Sequence, residues 1–182
     1  YPTSRDATIQ GLYGEYFDNS NWEGRPAFTR VDTKVNFTWK DITPVSGIMA
    51  DAFSVRWTGF LKVEEGGTYE LGMNACNGAS LYLDDSLLLT FRNPHHPTEI
   101  AKAVELEAGR FYKVKIEMFS DGSDPQSHFM WGRPDEGRYE QQALEVAAGA
   151  DVIVAVMGLT PHLEGEEMPV KVDGFDGGDR TH

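Results

Sequence analysis

Aromatic rings are the residues of this chain best suited to chemistry, because a ring face can stack on a sugar ring with little need for charge. Four tryptophans are candidates: Trp22, Trp39, Trp57 and Trp131. Trp22 lies in the polar stretch Asp18 to Gly24 and reads as the best exposed. Trp57 and Trp131 fall in alternating stretches and read as core. A second candidate set is Arg92, His95 and His96, in the proline-stiffened segment Arg92-Asn93-Pro94-His95-His96-Pro97. These could donate hydrogen bonds to hydroxyl groups, although the segment reads more readily as an ordinary surface loop. Glu164, Glu166 and Glu167 crowd into a short glycine-containing stretch near the end. Taken alone, they read as solvated charge.

Other chemistries are excluded. His95 and His96 are adjacent, so on an extended chain they point to opposite sides, and no third metal ligand is evident. Cys76 is the one cysteine, so neither an internal disulfide nor a cysteine-based zinc site can form. A formal net charge of −13 argues against nucleic acid, whose phosphates need a basic surface. A neutral polyhydroxylated ligand is indifferent to that charge. No apolar run approaches the roughly 20 residues needed to cross a bilayer, so no membrane partner is expected. The longest run, Val152 to Leu159, is strand-sized.

The elements that position these residues have two textures. Residues 1–139 are written in short strands: Gly11 to Phe17, Val35 to Trp39, Phe53 to Val63, Thr68 to Met73, Ser80 to Leu83, Leu87 to Phe91, Ala101 to Leu106, Phe111 to Phe119 and Ser127 to Trp131. Turn signals separate them at Glu65-Gly66-Gly67, Asn77-Gly78, Asp84-Asp85-Ser86, Ala108-Gly109-Arg110 and Asp121-Gly122-Ser123. This spacing predicts an all-β fold, an antiparallel β-sandwich or barrel. Residues 140–182 differ. Glu140 to Ala150 is helix-compatible, with Ala143, Leu144, Ala147 and Ala148 on one side. Val152 to Met157 reads as a strand buried on both faces of a parallel sheet, and a polar, glycine-rich loop follows. Such a helix-strand-loop fragment of an α/β domain cannot form a core alone. The chain has no initiator methionine or signal peptide, and both ends read as cut from a longer polypeptide.

Gly11-Leu12-Tyr13-Gly14-Glu15-Tyr16-Phe17, Phe53-Ser54-Val55-Arg56-Trp57-Thr58-Gly59, Gly67-Thr68-Tyr69-Glu70-Leu71 and Leu81-Tyr82-Leu83-Asp84 together resemble the protective-antigen-type (PA-14) domain over about residues 9 to 135. The tail is similar to a different family. Ala150-Asp151-Val152-Ile153-Val154-Ala155-Val156-Met157-Gly158-Leu159, Leu163 to Met168 and Gly174-Phe175-Asp176-Gly177-Gly178-Asp179-Arg180 resemble the C-terminal α/β-sandwich domain of glycoside hydrolase family 3. In a subset of that family the PA-14 module is inserted in this domain, and the chain then re-enters it.

The resemblance implies an accessory, carbohydrate-associated module of a retaining β-glucosidase or β-xylosidase, shaping the substrate entrance and chain-length preference. Its ligand would be a β-linked oligosaccharide or glycoside. Its partners would be the missing barrel and the rest of the α/β domain. Retaining hydrolysis needs two carboxyl groups about 5–5.5 Å apart. The family's nucleophilic aspartate belongs to the barrel, in a motif this chain lacks, so the chain alone is expected to be inactive. The family's acid/base Glu-x-Glu pattern falls on Glu164 and Glu166, and Asp179 and Arg180 are open to pairing beside it. In fungal adhesins of the PA-14 family two adjacent aspartates hold calcium. By position that pair falls on Ala75-Cys76-Asn77-Gly78, where the carboxylates are gone, and Asp84-Asp85 reads as a hairpin turn. No metal and no cofactor are therefore expected. The alternative is a stand-alone carbohydrate-binding or adhesion module without catalysis. The sequence sets no compartment, though plant polysaccharide fragments as substrates favour a periplasmic or secreted parent.

Overall fold

Period-two alternation builds most of this chain into sheet. A computed structural model describes residues 9–39, 44–48, 52–122, 125–134, 138–154, 175–176 and 179–180; the side chains of residues 93–96, 138 and 175–180 lie outside that description. Eight strands form the first of two compact units, residues 1–134: β1 (Leu12–Phe17), β2 (Phe28–Asp32), β3 (Asn36–Thr38), β4 (Phe53–Lys62), β5 (Gly67–Leu83), β6 (Ser86–Leu106), β7 (Phe111–Ser120) and β8 (Gln126–Gly132). Their order is β2-β1-β4-β7-β5-β8-β3, all antiparallel, with β6 on the other edge of β5. The result is an antiparallel half-barrel, in agreement with the all-β expectation.

Strand β5 turns this sheet into a container. Its residues 70–75 pair with β8 and its residues 78–83 with β7, while β6 runs along its whole opposite edge. The change of partner falls at Cys76 and Asn77, both buried, where the register with β6 slips. Asn77 takes a left-handed φ of 71° there. A bulge bends a strand and raises its twist, and here four residues of β6 lie across from Cys76 alone at the point where β5 changes partner.

This corrects two sequence expectations. Asn77-Gly78 is not a turn between two strands. Met73 and Ser80, on either side of it, both pair with the same long partner, so the left-handed residue is absorbed in a bulge. The Arg92 to Pro97 segment is likewise no free loop. Its backbone runs within β6, and the four residues between Asn93 and Thr98 lie across from Cys76 alone. Prolines are tolerated there because β6 is an edge strand and needs no ladder bonds on its outer side. The turn at Asp84-Asp85 is a tight hairpin, with both residues at positive φ (47° and 64°). Arg110 and Lys113 pair with the two carboxylates.

Inside the half-barrel, alternate residues of β4 and β7 supply Phe53, Val55, Trp57, Val114, Ile116 and Met118, all fully buried. One polar cluster crosses this core. The Asp32 carboxylate accepts hydrogen bonds from Tyr16 Oη (2.6 Å), Trp57 Nε1 (2.7 Å) and Arg30 Nε (2.5 Å), and Arg30 also donates to Tyr16 Oη. Gly14 leaves room for it: a Cβ there would sit 2.8 Å from the Asp32 carboxylate and 3.0 Å from the Trp57 indole nitrogen. The glycines and aromatics of the opening motif thus surround one buried carboxylate. Burial, and then the neighbouring Asp32, push the Tyr16 phenol well above its ordinary value.

The second unit, residues 135–182, holds helix α1 (Arg138–Ala148) and a two-residue antiparallel pair, β9 (Phe175–Asp176) and β10 (Asp179–Arg180). The helix matches the expected segment, with Leu144 and Val146 exposed. Val152–Val154 differ from expectation: they form no strand and are more than 60% exposed. A strand of that composition needs neighbouring strands to pair with, and none is present beside it among the described residues.

Candidate functional site

The outer faces of β5, β6 and β7 meet the β1–β2 loop around a cavity of about 340 Å³. Two rows of side chains cross these strands. Phe119 of β7, Gly78 of β5 and Arg92 of β6 are register neighbours, as are Glu117, Ser80 and Thr90. Gly78 is the floor. A Cβ there would approach Phe119 Cε1 to 2.5 Å, so only glycine lets the Phe119 ring lie across the strand. Arg92 then covers that ring, with its guanidinium carbon 4.9 Å from the centroid and one nitrogen 2.7 Å from Asp121 Oδ2.

Trp22 closes the cavity from the loop. Its backbone sits at φ 57°, an unfavourable region for a bulky residue, so the surroundings must hold it there. They do so with several bonds. Asn19 Oδ1 accepts from the backbone N–H groups of Asn21 and Glu23, and Ser20 Oγ donates to the Ser120 carbonyl at 2.5 Å. Trp22 N–H donates to Ser54 Oγ, and the indole N–H to the Val55 carbonyl at 3.2 Å. The half-buried ring meets Phe119 edge-on at 6.1 Å. A strained aromatic fixed by its own hydrogen bonds is a preorganised platform, with little ordering cost left at binding.

The polar lining suits hydroxyl groups. Ser80 and Thr90 share a hydrogen bond of 2.8 Å. Glu117 accepts from Arg56 Nε at 2.8 Å and lies 3.5 Å from Lys115. Burial, and then Glu117, raise the Tyr82 phenol above its ordinary value beside it. Apolar rings, paired charges and hydroxyls make a site that can bind a neutral polar ring. Among the described residues Glu117 is the carboxylate that lines it, and Arg56 engages it.

Two residues singled out in the sequence, Trp22 and Arg92, are therefore brought together. The side chains of His95 and His96, and all of Glu164 and Glu166, lie outside the described residues. Phe119, Glu117, Ser80 and Thr90 were missed. The glycine inside a strand pattern at Gly78 was the signal that something packs closely against the backbone there. Trp39 and Trp57 are core, at 4% and 0% exposure. Trp131 is a correction: it shares the inward parity of Ser127 and Phe129, yet is 39% exposed because β8 ends beside it.

The calcium that the resemblance to adhesins implies does not fit these residues. Its aspartate positions are occupied by Ala75, Cys76 and Asn77, and of their side chains only the buried Asn77 offers an oxygen, Oδ1, without a hydrogen-bond partner among the described residues. One neutral oxygen cannot replace two carboxylates among the six to eight oxygen ligands calcium takes.

Comparison with known proteins matches residues 9–145 to the PA14 domain. The anti-sigma-I factor RsgI3 of Acetivibrio thermocellus is 34% identical over 129 residues, covering 71% of this chain and 20% of that protein. A xylan 1,4-beta-xylosidase of Xylanibacter ruminicola is 25% identical over 181 residues, covering 94% of this chain and 20% of the enzyme. The chain thus spans about a fifth of the length of these curated relatives. Among solved structures, a PA14 sugar-binding domain from an RTX adhesin superposes with a TM-score of 0.56 at 14% identity, covering 69% of this chain and 90% of that one.

Proposed function

The chain belongs to the PA14 domain family, and from that premise we propose that it is the carbohydrate-associated module, with adjoining tail, of a family 3 retaining β-glycosidase. The observation that carries this reading is the extent of the xylosidase match. It covers 94% of the 182 residues, so a continuous match must include Glu164 and Glu166 as well as the sandwich. The anti-sigma-I factor match, at 71%, is shorter. Exposure of Leu144, Val146 and Val152–Val154 further supports a tail that packs on a sheet contributed by the rest of the parent.

In this reading Glu164 or Glu166 is the acid/base of the parent, and the barrel brings the nucleophile. The module places the Trp22–Arg92 cavity where it contacts the sugar units beyond the scissile bond, so long chains and short ones are treated differently. The isolated chain does not hydrolyse glycosides. The test uses the parent enzyme with aryl β-xylosides and β-glucosides. Replacing the true acid by glutamine should lower turnover by about 10²–10⁴-fold, since an amide cannot donate the proton. If neither Glu164→Gln nor Glu166→Gln lowers turnover, the assignment is wrong.

A second reading, a binding module without catalysis, is favoured by the anti-sigma-I factor relative, whose match is higher in identity than the xylosidase's and limited to 129 residues. Glycan titration of the isolated chain separates the two. Micromolar binding lost in Trp22→Ala supports a binding module. No binding, with altered chain-length preference when the module is removed from the parent, supports the entrance-shaping role.

A further inference from the structure

We propose that the Trp22–Arg92 cavity opens onto a track for a linear, neutral β-linked oligosaccharide, running across the outer sheet face over Tyr82 and Tyr13. This rests on the reading of that cavity as a sugar site, and adds the residues that make it prefer a chain to a short sugar. An antiparallel sheet with one solvated face is ordinarily polar on that side. One outward row departs from the rule. Val31 of β2, Tyr13 of β1, Thr58 of β4, Lys115 of β7, Tyr82 of β5 and Leu87 of β6 are successive register neighbours. Val31, Tyr13 and Leu87 are exposed, at 37%, 41% and 53%. Leu12, Trp57, Ile116 and Leu81, adjacent to this row in sequence, are fully buried, so the row itself lies on the side away from the core. Apolar and aromatic side chains aligned across six strands form a contact surface.

The row is continuous with the cavity. The neighbouring row holds Glu15, Arg56, Glu117, Ser80 and Thr90, and its last three residues line the cavity. Tyr82 lies two residues beyond Ser80 on β5, about 7 Å away along the strand. Polar contacts bridge the step. Lys115 Nζ is 3.5 Å from Glu117 Oε2 and 3.7 Å from the centroid of the Tyr82 ring, while Arg56 holds the other Glu117 oxygen. Burial first, and then Glu117, raise the Tyr82 phenol, and a hydrogen bond with Ser80 lowers it, so its hydroxyl reaches two side chains of the cavity wall.

Charge and spacing select the ligand class. Glu15 and Glu117 stand against Arg56 and Lys115, so these two rows are balanced, and an ionic ligand gains little there. Tyr13 and Tyr82 sit three strand spacings apart, roughly 14 Å, a span that several sugar rings and not one can bridge. A β-linked chain offers flat ring faces and hydroxyl edges. Phenol rings beside a row of hydroxyl, carboxylate and ammonium groups fit both.

The experiment titrates the isotope-labelled chain with xylobiose and xylohexaose, and with cellobiose and cellohexaose, followed by backbone amide resonances. The expected result is that one hexasaccharide binds about tenfold or more tighter than its disaccharide and shifts Thr58 and Lys115 as well as Ser80 and Thr90. Tyr13→Ala and Tyr82→Ala should each weaken the hexasaccharide by about tenfold and leave the disaccharide unchanged, whereas Trp22→Ala weakens both. If Tyr82→Ala loses its dispersed spectrum, Tyr13→Ala, at an exposed side chain, and Lys115→Gln carry the same comparison. Hexasaccharide binding that falls in Trp22→Ala but is unchanged in Tyr13→Ala and Tyr82→Ala overturns the track and leaves the cavity standing. Equal affinity for short and long sugars does the same. Absence of any shift with all four sugars overturns the sugar-site reading of the cavity, and the track with it.

Discussion

Replacing Asp32 by alanine should remove a large share of this domain's stability. Asp32 is 6% exposed and is the common acceptor for Tyr16, Trp57 and Arg30. Without it, a phenol and an indole N–H, both on fully buried side chains, have lost their carboxylate acceptor, each costing about 1–3 kcal/mol. Arg30 adds less, because its side chain is 34% exposed and water can take over part of the pairing. Tyr16 and Arg30 retain their mutual bond of 2.8 Å, which trims the loss further. The sum is about 3–5 kcal/mol, the range for breaking a buried ion pair by removing one partner. Against a total of about 5–15 kcal/mol this lowers the melting temperature by roughly 10–20 °C. Urea unfolding followed by tryptophan fluorescence is the assay, and the slope should stay constant while the midpoint falls. A loss below about 1 kcal/mol, typical of an ordinary surface change, would refute the idea that this carboxylate organises the core.

Three further outcomes are expected. The Tyr16 phenol titrates above its unfolded value of about 10, so its contribution is complete below that pH and declines as pH rises further, when the unfolded chain ionises first; unfolding curves should weaken above pH ~10, and Tyr16→Phe should flatten that slope. Gly78→Ala should push the Phe119 ring away by forcing a 2.5 Å approach, so that glycan affinity at the Trp22–Arg92 cavity drops by about tenfold or more while the fold persists; calorimetric titration beside circular dichroism reads both. Trp22→Ala and Arg92→Ala should each weaken the same binding by about 10-fold or more, and the double variant should lose less than the product, because both residues pack on Phe119; independent effects would show that they do not share one ligand.

Much was legible in the residues themselves. Strict alternation in Phe53 to Val63 and Phe111 to Phe119 wrote β4 and β7, because a two-sided strand with one face in the core must alternate. Gly66-Gly67, Asp84-Asp85 and Gly109 marked reversals by the backbone geometry those residues tolerate. Trp22 was singled out by its place in a polar loop, but it is half-buried and Trp131 is the more exposed ring.

Tertiary structure decided what depends on pairing between distant segments. Asn77-Gly78 has the local chemistry of a turn, but β6 is long enough to pair on both sides of it, so it stayed within β5 beside a bulge in β6. Asp32 sits in a polar-looking stretch, and nothing local reveals that Tyr16, Arg30 and Trp57 converge on it. Trp131 obeys the inward alternation of β8 and is exposed because the strand stops there, a fact of sheet length rather than of residue type. The cavity joining Trp22, Phe119 and Arg92 draws on three strands and a loop. Each residue's type is local, but which residues face one another is fixed by the register of long-range pairs, and no single stretch of sequence contains that information.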